Sequence, residues 1–483
     1  MSRILRVALA PALLLGLVAC DTTPPYNYVG ERGPNAPRIS VSEFRDLSPS
    51  VQNAAIAAAR DASGAASVTH FGTMKVVATW RFGMSVPLKS APAGAHYPVS
   101  ATAMEPWAGA GLHGESFGQV LAKNQLVLSQ TAATLRKARV GDALDIRKFS
   151  GPAGVVRVHI GAIVPDSNAP SEMTMSLWTA ASLGFSRPSS VQIWGYRSQP
   201  EIEAALARRG LNRAGVRIGR SWDPPSPDST LGLGRTKALL GEFWYRNLVG
   251  GAIQIDPAWF QANVSPRVTF AGVPIRASCH VKVNPYIQGA LREIAAAGLS
   301  PLVNVSNTNS VGGCFAPREI RPSGGTTGGS LSRHTWAMAL DMNVSSNQMG
   351  AVPQMDCRIV RIFRKWGFAW GGNFTTPDGM HFEWVGQSRH NMWYPSRYCP
   401  NPVPRPAMAT AATATTAPTT TVPPTTTLPP PTTLPPETTT TFFVEETTLP
   451  PDTTAAPEEP GTTAAADPAE LDPAATASSG SGA

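Results

Sequence analysis

Two short stretches decide the reading of this chain: Ser332-Arg333-His334-Thr335-Trp336-Ala337-Met338-Ala339-Leu340-Asp341 and Asp378-Gly379-Met380-His381-Phe382-Glu383. Two imidazoles and a carboxylate, His334, Asp341 and His381, make a sound catalytic zinc set. Three protein ligands leave a fourth position for water, whose pKa the metal lowers toward neutrality. MALDMN (338–343) and MHFEWV (380–385) read as strands, so Asp341 lies on the strand that follows the loop of His334, and His381 begins a neighbouring one. Glu383 is two residues beyond His381 and shares its face, where it can orient a ligand. Asp378, on the preceding turn, is well placed to take a proton from water at the metal. A lone histidine is better read as a core or surface residue, and His70, His96, His113, His159, His280 and His390 are read that way. For His334 and His381 the joint pattern favours metal.

Around these stretches, residues 250–402 read as an α+β domain with a small antiparallel sheet and helices packed behind it. Asn284-Pro285 opens a helix, with Asn as N-cap and Pro at the first helical position. Ile287, Leu291 and Ile294 recur on one face and Gly298 ends it. LVNVSN (302–307) reads as a short strand. Asp356 caps a second helix with Ile359, Ile362, Phe363 and Trp366 inward, stopped by Gly367. Residues 41–245 read as a separate α+β domain, without chemistry that can be assigned. SVQNAAIAAAR (50–60) and SFGQVLAKNQLVLSQTAATLRK (116–137) look helical there, and 73–82, 154–164 and 189–196 look like strands.

At the N-terminus, residues 1–20 carry Arg3 and Arg6, then an apolar run ending at Leu17-Val18-Ala19-Cys20. The run is short for a bilayer span and reads as a signal peptide. Its end resembles the bacterial lipobox, which implies diacylation of Cys20 and a membrane anchor facing the cell wall. Residues 21–40 read as a tether. From 403 to 483 Thr, Pro and Ala dominate, a composition too poor in apolar surface to offset ordering entropy, and the segment reads as a disordered tail. The net charge of +8 is uneven: after Arg405 there is no Lys or Arg, and nine acids follow. The basic excess therefore lies upstream, where it suits an anionic polymer or lipid headgroups; with an export signal it is no argument for nucleic acid. Cys279, Cys314, Cys357 and Cys399 suggest two disulfides in an exported chain, with three connectivities open.

The two stretches resemble the VanY-type family of zinc peptidoglycan peptidases, which includes D-alanyl-D-alanine carboxypeptidases and L-alanyl-D-glutamate endopeptidases. Ser332, His334, Ala339 and Asp341 match the family's SxHxxGxAxD, and Asp378, His381, Phe382 and Glu383 match its second motif. The resemblance runs from about residue 250 to 400 and includes DPAWFQANV (256–264), GGCFAPREI (312–320) and GFAWGGNF (367–374). It implies zinc ligation by His334, Asp341 and His381, Asp378 as general base, and peptidoglycan stem peptides as substrate. It also implies an arginine upstream of the first histidine that binds substrate. Arg318, 16 residues before His334, is the expected one, and Arg197 in the family-like string Gly195-Tyr196-Arg197-Ser198 is read as coincidence.

Two departures stand out. The family glycine three residues after the first histidine is Ala337, and the usual GGDW is Gly371-Gly372-Asn373-Phe374. If position 337 needs positive φ, the methyl group is strained. Ala337 is the one feature favouring an alternative from another class, a catalytically inactive zinc-bearing wall-binding or scaffold lipoprotein. The choice between carboxypeptidase and endopeptidase stays open.

Overall fold

The computed structural model describes residues 27–43, 46–149, 154–248, 252–306, 310–320 and 330–406. The expected signal peptide with Cys20 and nearly all of the expected tail lie outside them. The described residues fall within one compact α+β unit, and none of its helices is long and apolar enough to cross a membrane.

Its first half is built on a ten-stranded sheet. The strands are β1 (Arg38–Glu43), β2 (Ala65–Trp80), β3 (Tyr97–Met104), β4 (Leu126–Ser129), β5 (Ala143–Arg147), β6 (Val155–Val164), β7 (Met173–Ser176), β8 (Pro188–Trp194) and β9 (Val216–Arg220). They run in the order β9-β1-β8-β2-β3-β7-β4-β6-β5, and a tenth, Lys89–Ser90, pairs with β2. The long β2 also pairs with β5, which closes six strands into a ring around Met74, Val76, Leu128, Leu144 and Met173. Helices α1 (Pro49–Asp61), α2 (Pro106–His113), α3 (Glu115–Ala122), α4 (Gln130–Arg136) and α5 (Gln199–Arg208) surround it. Because side chains alternate along a strand, Ile39, Val41, Val191 and Ile193 all face the core formed with α1 and α5.

One expectation fails here. Residues 116–137 are not one helix but α3, β4 and α4 in succession. Asn124 takes a left-handed turn (φ 55°), and the apolar run Leu126-Val127-Leu128 is wholly buried, so tertiary pairing overrides helical propensity.

The second half holds β10 (Val311–Gly313), β11 (Ala339–Met342), β12 (Phe368–Trp370) and β13 (His381–Trp384), an antiparallel sheet ordered β10-β11-β13-β12. Helices α6 (Asn284–Ala296) and α7 (Cys357–Lys365) join its core. Asp356 caps α7 by accepting from Arg358 N. Ile359 and Phe363 are buried as expected, while Ile362 and Trp366 are only partly so. Trp366 seats its ring where Gly289 leaves room: a Cβ there would lie 2.2 Å from it. Asn284 is not the N-cap of α6. It is the first helical residue after Val283, with its side chain making no capping bond. Nor do the described residues of 302–307 form a strand: Ser300–Leu302 is a 3-10 turn and 303–306 is irregular, while 307 lies outside the described residues.

Disulfides Cys279–Cys314 and Cys357–Cys399 both lie in this half. Buried charge ties it to upstream residues. Arg364 donates to Asp228 (Nε–Oδ1 2.9 Å, Nη2–Oδ2 2.6 Å), and Asp228 also accepts from the backbone N–H of Trp370 at 3.1 Å. Asn373 completes the set, donating Nδ2 to Asp228 Oδ2 at 2.8 Å. This accounts for one departure from the family pattern, because an aspartate at 373 would oppose a second carboxylate where the amide now donates. Lys237, 1% exposed, lies between Glu172 (2.6 Å) and Glu242 (3.0 Å) and donates to Pro98 O, so it links β3 to the core that begins at Leu240.

Candidate metal centre

The site is made by strand register. Antiparallel pairing of β11 with β13 sets Asp341 directly opposite His381. On the other side of β11, Gly313 pairs with Asp341, and a Cβ on Gly312 would come within 2.8 Å of the Asp341 Cβ. His334 arrives from a 3-10 turn, Arg333–Trp336, capped by Ser332. One ligand atom from each of His334, Asp341 and His381 lies within 4.8 Å of the others. The two rings meet edge-on, their centroids 5.1 Å apart.

The two imidazoles are held differently. His334 Nδ1 lies 3.2 Å from the carbonyl of Cys314, so Nδ1–H donates there and Nε2 keeps its lone pair. That Nε2 is buried 3.2 Å from Asp341 Oδ2, yet it makes no hydrogen bond among the described residues. His381 presents Nδ1 to Asp341 Oδ1 at 3.1 Å, while its Nε2 faces Glu383 Oε2 at 3.6 Å. Glu383, 3% exposed, is paired in turn with Arg333 at 3.1 Å.

Burial alone would raise the Asp341 carboxyl and lower His381. The hydrogen bond from His381 and the nearness of both imidazoles outweigh it: Asp341 is held far below the usual range, and Asp341 and Glu383 push His381 up to about 10. A buried anion between two imidazoles, with one nitrogen left orphaned, is the donor set of a metal with N and O ligands, and zinc fits it.

Asp378 sits on the turn before His381, tied by Asp378 N to Gly371 O (2.8 Å) and His381 N to Asp378 O (3.1 Å). Its Oδ1 is buried without a hydrogen-bond partner among the described residues, and burial, with the Asp341 charge, raises its pKa. Gly371 is required here, since a Cβ would lie 2.5 Å from Asp378 O. Arg318 donates Nη1 to Ser332 Oγ at 2.9 Å, and Ser332 Oγ also accepts from His334 N at 3.4 Å, so this serine joins the arginine to the first histidine. Arg197 lies elsewhere, exposed after β8 and 3.8 Å from Glu201. His280, buried, has its Nε2 3.1 Å from Leu240 O, a structural role. Trp336 is fully buried against Phe243.

Sequence reasoning missed Arg333, Gly312, Gly371 and the Cys314 carbonyl. The glycine doublets at 312–313 and 371–372 were the available signal, because only a missing Cβ permits such close approach. A main-chain acceptor leaves no mark on residue type.

Residues 325–384 match the family model described as D-alanyl-D-alanine carboxypeptidase. That match is consistent with a VanY-type peptidase domain at the C-terminal side of the chain. No curated protein matches. Among solved structures, the periplasmic region of MacB from Actinobacillus actinomycetemcomitans is 13% identical, with a TM-score of 0.25, covering 38% of this chain and 88% of that one. The extracellular domain of the noncanonic ABC-type transporter YknZ from Gram-positive bacteria is 13% identical, with a TM-score of 0.24, covering 38% and 99%. At such scores neither likeness bears on the fold or the site.

Ala337 follows the His334 turn in left-handed conformation, φ 53° and ψ 30°, and is fully buried. The family glycine is thus absent where positive φ is needed. The strain costs about 1–2 kcal/mol, and burying the methyl group returns about 0.8 kcal/mol. Ala337→Gly should therefore change stability by less than ~1 kcal/mol, whereas Ala337→Val, branched and overpacked, should cost more than ~2 kcal/mol. Urea midpoints measure both.

The Cys279–Cys314 bridge anchors the residue after β10 whose carbonyl orients His334. Replacing both cysteines by serine should weaken zinc affinity by roughly 10–100-fold, as loss of an orienting partner does. Competition with a chromogenic chelator reads this out, and unchanged affinity would remove the Cys314 carbonyl from the account.

Proposed function

We propose that this chain is a zinc-dependent peptidase that hydrolyses peptide bonds in peptidoglycan stem peptides, exported and held at the cell membrane by a lipid on Cys20. The observation that carries the reading is the convergence of His334, Asp341 and His381 beside the buried, unpartnered oxygen of Asp378. The family match over 325–384 supports the reaction class, and the basic balance upstream of the tail suits an anionic wall polymer.

His334, Asp341 and His381 would hold the metal, which when bound supplies Lewis acidity to polarise the scissile carbonyl and make water more acidic. Asp378 does the proton work. Its raised pKa suits a group that accepts the proton of the attacking water and returns it to the leaving amine as the C–N bond breaks. Arg318, steadied by Ser332, offers its guanidinium to a substrate carboxylate or the polarised carbonyl oxygen. Glu383 faces Nε2 of His381 and would orient its ring, and Arg333 pairs with Glu383.

The inactive-scaffold reading rests on Ala337 alone, and the left-handed turn there leaves all three donors converged. Mass spectrometry of muropeptides after digestion of purified peptidoglycan decides between the readings. The expected outcome is release of fragments. Loss of one terminal alanine identifies a carboxypeptidase, and cleavage after the first stem residue an endopeptidase. A chain that sediments with sacculi and releases nothing is a binder. In the same assay Asp378→Asn should abolish turnover, a loss of at least about a hundredfold, while zinc stoichiometry stays at the wild-type level. A zinc-free Asp378→Asn protein would contradict the role given to Asp378.

A further inference from the structure

We propose that a cavity of about 290 Å³ on the large sheet binds a small hydroxylated carboxylate, the class to which uronic acids and acid-bearing amino sugars belong, with Arg38 as partner of the anion. The volume is near the lower end for small-molecule sites, which suits one sugar ring rather than a chain.

The cavity follows from strand alternation. One face of β1, β8 and β2 is apolar and packs against α1 and α5. The opposite face carries Arg38 on β1, Ser190 and Gln192 on β8, Thr69 on β2 and Thr102 on β3, all of which line the cavity. Thr69 and Thr102 are only 3% and 6% exposed, so these are built-in polar groups and not a solvated surface. They are ordered among themselves: Thr69 Oγ1 and Ser190 Oγ lie 2.7 Å apart, and Gln192 Nε2 donates to the hydroxyls of Ser40 and Ser190 at 3.0 Å. A fixed array of hydroxyl and amide groups matches the hydroxyls of a saccharide.

The wall is built as well. His113, the last residue of α2, and Asn168 exchange two contacts of 3.1 Å, one through His113 Nδ1 and one from Asn168 Nδ2 to His113 O. This locks the Ser167–Pro170 turn to the helix. Phe71, 57% exposed at the rim, offers an apolar ring.

Charge selects the ligand. Among the described residues, Arg38 and His113 are the only titratable ones lining the cavity. Burial lowers the His113 pKa to about 4, which leaves it neutral near pH 7. The Arg38 guanidinium makes no ion pair or hydrogen bond among the described residues; only its backbone is bonded, the N–H to Ser221 Oγ and the carbonyl to Ser221 N. Burial depresses its pKa, and no anion compensates. A half-buried cation without a counter-ion is costly, and a carboxylate relieves it through a bidentate, charge-assisted pair. The cavity shares no residue with the metal cluster, so this inference does not rest on the peptidase reading.

Calorimetric titration of the full chain tests it with N-acetylmuramic acid, with N-acetylglucosamine as the ring lacking the acid, and with inorganic phosphate. The acid sugar should bind at least tenfold more tightly than either of the others. Arg38→Gln should erase its preference over the neutral sugar, and Gln192→Leu, which leaves the charge in place, should weaken both sugars at least threefold. Circular dichroism establishes that each variant is folded, and Gln192→Leu keeps the test alive if Arg38→Gln is not. Equal binding of the two sugars, unchanged binding in the variants, or no binding at all overturns the proposal. Phosphate binding as tightly as the acid sugar would reduce the site to a generic anion contact and overturn it too.

Discussion

The pairing of β11 with β13 puts one carboxylate and one imidazole on facing strands, and almost everything else at the site serves that placement. Gly312 lets β10 close against Asp341, Gly371 lets the Asp378 turn close against His381, and the turn ending at Ala337 swings His334 over both. The arrangement concentrates negative charge in a buried place and answers it with imidazole nitrogens whose other sides are already committed. Such a donor set suits a cation, and the orphaned Nε2 of His334 is the atom it leaves without a partner among the described residues.

Support extends well beyond the ligands. Disulfide Cys279–Cys314 fixes the carbonyl that sets the His334 tautomer, while Cys357–Cys399 joins the start of α7 to the segment whose main chain meets Asn373 and Arg364. Asp228, more than a hundred residues upstream of His334, gathers Arg364, Asn373 and the Trp370 backbone into one buried cluster beside the β12 end of the sheet. Such pairs add little net stability against an apolar replacement, yet breaking one leaves a buried charge uncompensated, so they resist local rearrangement.

How much could be read from the sequence depended on how locally each feature was encoded. The convergence of His334, Asp341 and His381 was legible because that set of residue types at that spacing is distinctive, and β11 and β13 because both are short and flanked by clear punctuation. The 116–137 segment misled because its apolar residues fit a helix as well as a buried strand, and only pairing of Leu126–Ser129 with β6 and β7 decides between them. LVNVSN failed for the reverse reason: it alternates like a strand, but residues 303–306 pair with no strand among the described residues. The Asn284 cap failed because the helix begins one residue earlier than the Asn-Pro signal suggests. Asn373 looked like a blemish in a motif until Asp228, distant in sequence, accounted for it.

The central claim is that two imidazoles and one carboxylate of this chain take a single zinc ion. X-ray absorption at the zinc edge of the purified full-length protein tests it most directly. The account predicts one zinc per chain, with two imidazole nitrogens and oxygen donors at about 2.0–2.2 Å and no sulfur, as both disulfides require. Sulfur in the first coordination sphere, or a shell without imidazole scattering, would contradict it.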